Sequence, residues 1–116
     1  MDPVIAAELE KARAAQGAGR AGRARVGARR AAGWAARAYY QRQTGAGWGG
    51  DALAALTRLQ ADPALPMPLR AAAARLTTVV DLDHTLPFAE DPLADAQAII
   101  AYCAQTESAP GRSATA

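Results

Sequence analysis

Apolar residues recur at intervals of three and four along most of the chain, the spacing that places side chains on one face of an α-helix. The pattern predicts five helical segments, separated by clusters of glycine or proline that interrupt helices. No stretch alternates convincingly with the period of two that a half-buried strand requires. The sequence therefore predicts an all-α fold, an up-and-down bundle of about five helices without a sheet. The predicted helices span about Pro3–Gln16, Arg20–Gln43, Ala52–Gln60, Pro68–Leu82 and Pro92–Gln105.

Three aspartates, Asp2, Asp51 and Asp91, stand where a side-chain oxygen can cap the first turn of a predicted helix. The segment 83–90 predicts a loop, and residues 107–116 predict a disordered tail, so a single domain is expected over residues 1–106. The residues expected to face inward, grouped by helix, are Ile5, Leu9 and Ala12; Leu53, Leu56 and Leu59 or Gln60; Leu69, Ala72, Ala73, Leu76, Val79 and Val80; Leu93, Ala96, Ile100 and Cys103.

The second predicted helix combines a continuous row of small residues with two rows of arginine. The small residues, which we call the alanine stripe, are Ala24, Ala28, Ala31, Ala35 and Ala38. Arg23, Arg30 and Arg37 line one flank of the stripe, and Arg25 and Arg29 line the opposite flank. The stripe predicts an interior helix that is buried against the fourth and fifth helices. The five arginines are candidate anion- or nucleic-acid-binding residues, but the flanks are separated by more than about 100°, which disfavours a single phosphate-binding face.

Composition and charge add an expectation about association. Of the apolar residues of this 116-residue chain, 33 are alanine and only 26 are larger, which predicts a thin core and favours a homodimer. Residues 1–50 hold nine Lys and Arg against three Asp and Glu, net +6, whereas residues 51–116 hold four against eight, net −4. We expect the halves to pack against each other or against a second copy, and an anionic partner for the first half is the alternative.

Several kinds of site are disfavoured by the sequence. The lone Cys103 excludes an internal disulfide and a cysteine-based zinc site. The only histidine, His84, follows Asp81 and Asp83, a pattern that indicates a polar loop rather than a metal site. The run GAGRAG at 17–22 precedes a helix whose N-terminus could bind an anion, but no strand leads into it, so it predicts a hinge between helices rather than a cofactor site. Without an apolar run long enough for a membrane span, or a signal peptide, we expect a cytoplasmic protein.

The order of these features resembles the HEPN-like proteins, the helical bundles named for higher-eukaryote and prokaryote nucleotide-binding domains. The resemblance covers about residues 5–105 and rests on four segments. They are RARVGARRAAGWAARAYYQRQTGAG, DALAALTRL, RLTTVVDLDHTLP and DPLADAQAIIAYC. It implies a helical bundle, often a homodimer, linked to nucleotides, RNA or a partner nucleotidyltransferase. Ribonucleases of this family carry an arginine followed after four to six residues by a histidine, whereas Arg75 and His84 have eight residues between them.

Three hypotheses about function follow. The first is a non-catalytic HEPN-like binding or partner module. The second is a HEPN-type ribonuclease with a degenerate site at Arg75 and His84. The third is a small protein that binds RNA or DNA through the arginine-rich second helix, and it requires both arginine flanks to be exposed on one surface.

Overall fold

The structure, a computed structural model, describes residues 2–44, 49–78 and 90–115, with side chains described as far as residue 105. Across these ranges it contains five α-helices and no strand, which confirms the predicted all-α fold. The helices are α1 (Pro3–Gly17), α2 (Ala21–Thr44), α3 (Ala52–Ala61), α4 (Met67–Thr77) and α5 (Pro92–Thr115).

The three predicted capping aspartates accept hydrogen bonds from the first turns of their helices. Asp2 Oδ1 accepts from the backbone N–H of residue 4 at 2.7 Å, and Asp51 Oδ1 accepts from that of residue 54 at 2.8 Å. Asp91 Oδ1 accepts from the N–H of residue 93 at 3.1 Å. These contacts satisfy donors that have no partner within the helix, and they fix where α1, α3 and α5 begin.

The central element is α2, which packs extensively on α1, α3 and α5 and makes a smaller contact with α4. The remaining packing joins α3 to α4, α4 to α5 and, over a small area, α1 to α5. Four members of the alanine stripe are buried, and the fifth, Ala38, is partly buried. The prediction of an interior helix is therefore correct, but its neighbours are mainly α1, α3 and α5 rather than α4 and α5.

Two glycines of α2 allow neighbouring backbones to approach closely. A Cβ atom added to Gly27 would lie 2.9 Å from Ala12 Cβ on α1. A Cβ atom added to Gly33 would lie 3.0 Å from both the Cβ and the carbonyl oxygen of Ala52 on α3. Alanine and glycine thus bring three helices together where larger side chains would hold them apart.

The inward face of α3 differs from the predicted one. Leu56 and Leu59 are buried as expected, but Leu53 is 55% exposed and Gln60 is also exposed. The third buried residue is Ala55. At about 100° per residue, Ala55 lies on the same side as the two buried leucines, whereas Leu53 lies roughly 110° from the centre of the three buried positions. The prediction of Leu53 as a core residue is therefore wrong, because Ala55 and not Leu53 lies on the side of α3 that faces the interior.

The fourth helix ends earlier than predicted. It stops at Thr77, and Thr78 has an extended backbone with φ −70° and ψ 134°, so the predicted end of this helix at Leu82 is too late. The hydroxyl of Thr77 donates to Ala73 O at 2.9 Å and that of Thr78 donates to Ala74 O at 2.8 Å. These bonds to the preceding turn, with the β-branched run that follows, favour a helix end at this point.

The final helix is longer than predicted. It continues to Thr115, so the expected end near Gln105 is too early. The disorder expected over 107–116 stays a prediction. The residues in this region that commonly end a helix, Pro110 and Gly111, stand five and six positions after Gln105, so the sequence places no strong terminator at the predicted end.

Other expectations fall outside the described residues. These are the inward positions Val79 and Val80 and the predicted loop 83–90, apart from Glu90, which lies in a bend. Among the helices that the structure describes, none combines the length and the apolar character needed to cross a membrane.

Candidate anion-binding groove

The turn between α1 and α2 creates a helical hairpin. Gly19, with φ 76°, adopts the left-handed conformation that follows many helix ends. The N–H of Gly19 donates to Gln16 O at 3.1 Å, and the N–H of Arg20 donates to Ala15 O at 2.8 Å. The GAGRAG run is therefore a helix–helix hinge, as predicted, and it folds α1 back along α2.

A groove of about 610 Å³ lies between these two helices near the hinge. Its residues are Glu8, Lys11, Ala14, Ala15, Ala18, Arg20, Gly22, Arg23, Val26, Gly27 and Arg30. Small side chains on both helices leave space for the groove. Four cationic side chains and one carboxylate surround it. We call this site the basic groove.

The electrostatics of the basic groove favour an anion. Its one carboxylate, Glu8, forms an ion pair with Lys11 at 3.7 Å on the same helix. The first residues of α2 also line the groove, so the positive end of that helix dipole adds to the side-chain charges. The arrangement provides positive charge around a weakly polar floor and can bind an anionic group.

A second feature extends the basic groove along α2. Arg23, Val26, Arg30, Trp34 and Arg37 fall within an arc of roughly 80° when α2 is viewed along its axis. The first four of these side chains are exposed and Arg37 is partly buried. We call this surface the arginine face. It contains all three members of one predicted arginine flank.

Trp34 and Arg37 contact each other at the far end of the arginine face. The guanidinium of Arg37 lies 5.5 Å from the centre of the Trp34 ring, within cation–π range. Arg37 Nε also donates to Gly50 O at 3.1 Å, which joins α2 to the start of α3. Trp34 nevertheless remains 39% exposed.

The opposite arginine flank has a structural role instead. Arg25 is only 6% exposed, and its guanidinium donates to the carbonyl oxygens of Arg75 and Thr78 at the end of α4. Burial, with the charge of neighbouring Arg29, lowers the Arg25 pKa from its ordinary value. Arg29 itself is partly buried. The two flanks therefore do not form the single exposed basic surface that the third hypothesis requires. A nucleic acid could contact only the exposed flank, which contains Arg23 and Arg30.

Arg75 is held by carboxylates on α5 and just before it. Its Nε and a terminal nitrogen donate to the two oxygens of Asp95 at 2.9 and 2.8 Å, and Glu90 lies 3.7 Å away. The hydrogen bonds to Asp95 raise the Arg75 pKa. His84, its proposed catalytic partner, lies outside the described residues, as do Asp81 and Asp83. In the part of the chain that is described, no group of three metal-ligating side chains occurs.

Cys103 is buried, as predicted for a core residue. Burial raises the pKa of its thiol to about 12, so the thiol stays protonated near neutral pH and is a poor nucleophile. Its carbonyl oxygen accepts a hydrogen bond of 2.8 Å from Arg42 of α2.

Sequence reasoning missed Lys11 as a member of the groove. A signal was present, because residues equidistant from the hinge at Gly19 face each other in a helical hairpin. Ala12 and Gly27, which touch across the hairpin, are nearly equidistant from Gly19. By the same equal distance from Gly19, Lys11 of α1 lies opposite the part of α2 that carries Arg23 and Arg30. The roles of Arg25 and Asp95 had no such local signal.

Comparison with protein-family models, with curated proteins and with solved structures finds no match to this chain.

Proposed function

We propose that the protein is a non-catalytic, HEPN-like binding module that takes an anionic ligand in the basic groove. The observation that carries this proposal is the set of four cationic side chains around the groove, opposed by a single carboxylate. Such a surface attracts an anion over distances up to about the Debye length. The resemblance described above adds a nucleotidyltransferase as a possible protein partner of this module.

Among the described residues, the acidic half of the chain forms no recorded ion pair with the cations of the groove. The ion pairs recorded among the described residues are Lys11–Glu8, Arg13–Glu10, Arg75–Glu90 and Arg75–Asp95. None of them includes Arg20, Arg23 or Arg30, and none joins residues 1–50 to residues 51–116. The expectation that the two halves neutralise each other within one chain therefore finds no support in these pairs.

Most described carboxylates of the acidic half have a local role. Asp51 and Asp91 cap helices, Asp62 accepts a hydrogen bond of 2.7 Å from the Tyr40 hydroxyl, and Asp95 binds Arg75. Because these groups stabilise the fold, the exposed cations of α2 remain available to an external anion.

Inorganic polyphosphate tests the proposal because it carries negative charge without bases or side chains. We expect saturable binding by calorimetry, with an association constant that falls as salt rises. The variant Arg23→Gln/Arg30→Gln should bind about tenfold more weakly, since two phosphate contacts are removed. The charge-matched control, Arg13→Gln/Arg70→Gln, alters arginines outside the groove and should bind as the wild type does. Equal weakening in both variants would show that only net charge matters.

We also propose a homodimer. The reason is the composition of the core, in which about half of the buried apolar residues are alanine, and each alanine buries little area. Sedimentation velocity across micromolar concentrations should show a species of twice the chain mass of 12.0 kDa. A single monomeric species throughout that range contradicts the proposal.

We expect the purified chain to leave RNA uncleaved. Arg75 is engaged by Asp95 through two hydrogen bonds, and eight residues separate it from the only histidine in the sequence. The measurement is incubation with a mixed single-stranded RNA, beside a His84→Ala variant. Cleavage by the wild type that disappears in the variant would favour the ribonuclease hypothesis over the binding module.

A further inference from the structure

We propose that the arginine face of α2 binds single-stranded nucleic acid, with Trp34 stacking on a base. This inference rests on the proposed function, because the arginine face shares Arg23 and Arg30 with the basic groove. It goes further by naming the ligand class and by assigning a role to an aromatic side chain outside the groove.

The first observation is the charge and the spacing of the arginines on this face. Arg23, Arg30 and Arg37 recur every seven residues, so their Cα atoms are spaced by about 10.5 Å along α2 and extend over about 21 Å. Arg23 and Arg30 are exposed, and no ion pair is recorded for either one among the described residues. A row of guanidinium groups of this length suits a chain of phosphates better than a single small anion.

The second observation is the exposed indole ring of Trp34. Trp34 lies between Arg30 and Arg37 on the same face, yet 39% of it is exposed to solvent. Arg37 lies over the ring at 5.5 Å and orients it. Single-stranded nucleic acids are bound by this combination, in which cations follow the backbone and aromatic rings stack on bases.

The packing of α2 favours a single strand over a duplex. Eleven residues of this helix are buried, and α1, α3 and α5 pack along it. The arginine face is thus a strip between packed helices and does not project from the surface. A helix that enters the major groove of DNA must project into a channel about 12 Å wide and 8.5 Å deep. A flexible single strand can instead lie along the strip with its bases unpaired.

A fluorescence titration tests the proposal directly. In a Trp48→Phe background, Trp34 is the only tryptophan, because the sequence contains two. Twelve-nucleotide oligo-dT and oligo-U should quench its emission in a saturable way. An abasic oligomer of the same length offers the phosphates alone and should bind without that quenching, and a blunt duplex should bind more weakly than either single strand.

A substitution at Trp34 gives a second readout. In anisotropy measurements with labelled oligo-dT, Trp34→Leu should raise Kd about tenfold, the usual scale for one stacked base. Its Kd for the abasic oligomer should not change. Met67→Ala is the matched control, since Met67 is an exposed apolar residue on another helix, and it should leave both values unchanged.

The outcomes separate this inference from the proposed function. Equal Kd values for oligo-dT and the abasic oligomer, without quenching of Trp34, would overturn the stacking role. Polyphosphate binding that depends on Arg23 and Arg30 would in that case still support the anion-binding module. A polyglutamate peptide that binds more tightly than oligo-dT would point to an acidic protein partner and overturn the nucleic-acid assignment. Loss of binding to every polyanion would overturn both proposals.

Discussion

Replacing Gly27 with valine is expected to destabilise the protein by about 2–3 kcal/mol, because the new side chain has no space at the contact between α1 and α2. Its Cβ atom would lie 2.9 Å from Ala12 Cβ and 3.2 Å from the carbonyl oxygen of Glu8. Neither atom belongs to a flexible side chain, so the two helices must move apart. Urea denaturation gives the free energy of unfolding that checks this value.

Gly22→Ala is the matched control for that experiment. Gly22 lies in the same helix, and a Cβ atom added there would meet nothing within 4 Å. Alanine has the higher helix propensity, so this variant should be unchanged or more stable by less than about 1 kcal/mol. If both glycine variants had the stability of the wild type, the close packing of α1 on α2 would be incorrect.

Replacing Asp95 with asparagine is expected to cost about 2 kcal/mol of stability. The Asp95 carboxylate is buried and accepts two hydrogen bonds from Arg75. The amide of asparagine can accept only one of them, and its NH₂ group is repelled by the guanidinium. The remaining carboxylate near Arg75 is Glu90 at 3.7 Å. The estimate is below the usual cost of breaking a fully buried pair because Arg75 retains some exposure to solvent.

Glu10→Gln is the control for the ion pair. It removes the carboxylate that Arg13 binds at 2.7 Å, but both side chains are exposed, and such pairs contribute about 0–1 kcal/mol. Thermal unfolding of the two variants should therefore show a large decrease in Tm for Asp95→Asn and almost none for Glu10→Gln. Equal decreases would mean that the Arg75–Asp95 pair is no more important than a surface contact.

Features that depend on neighbouring residues in the sequence could be predicted. The caps at Asp2 and Asp51 follow from a short polar side chain at the start of a helix, and the hinge follows from Gly17 and Gly19. The buried alanine stripe follows from helical periodicity alone. In each of these cases the physical cause lies within one or two turns of the chain.

Features that depend on distant residues could not be predicted. The contact of Arg25 with α4 is one example, since the carbonyl oxygens that accept its hydrogen bonds lie about 50 residues later in the chain. The sequence also gives Arg25 and Arg23 the same chemistry, yet one is buried and the other is exposed. Only the packing of α2 between its neighbours decides which arginine is buried in the fold and which is exposed to solvent.

Three arginines of α2 have main-chain partners, and this has a consequence for how the sequence can vary. Arg25, Arg37 and Arg42 donate to carbonyl oxygens of residues 50, 75, 78 and 103. Every amino acid has a carbonyl oxygen, so substitutions at those four positions preserve the acceptor wherever the backbone is unchanged. The constraint on side-chain identity therefore falls on the arginines alone, and homologous chains can change the partner residues without a compensating change in α2.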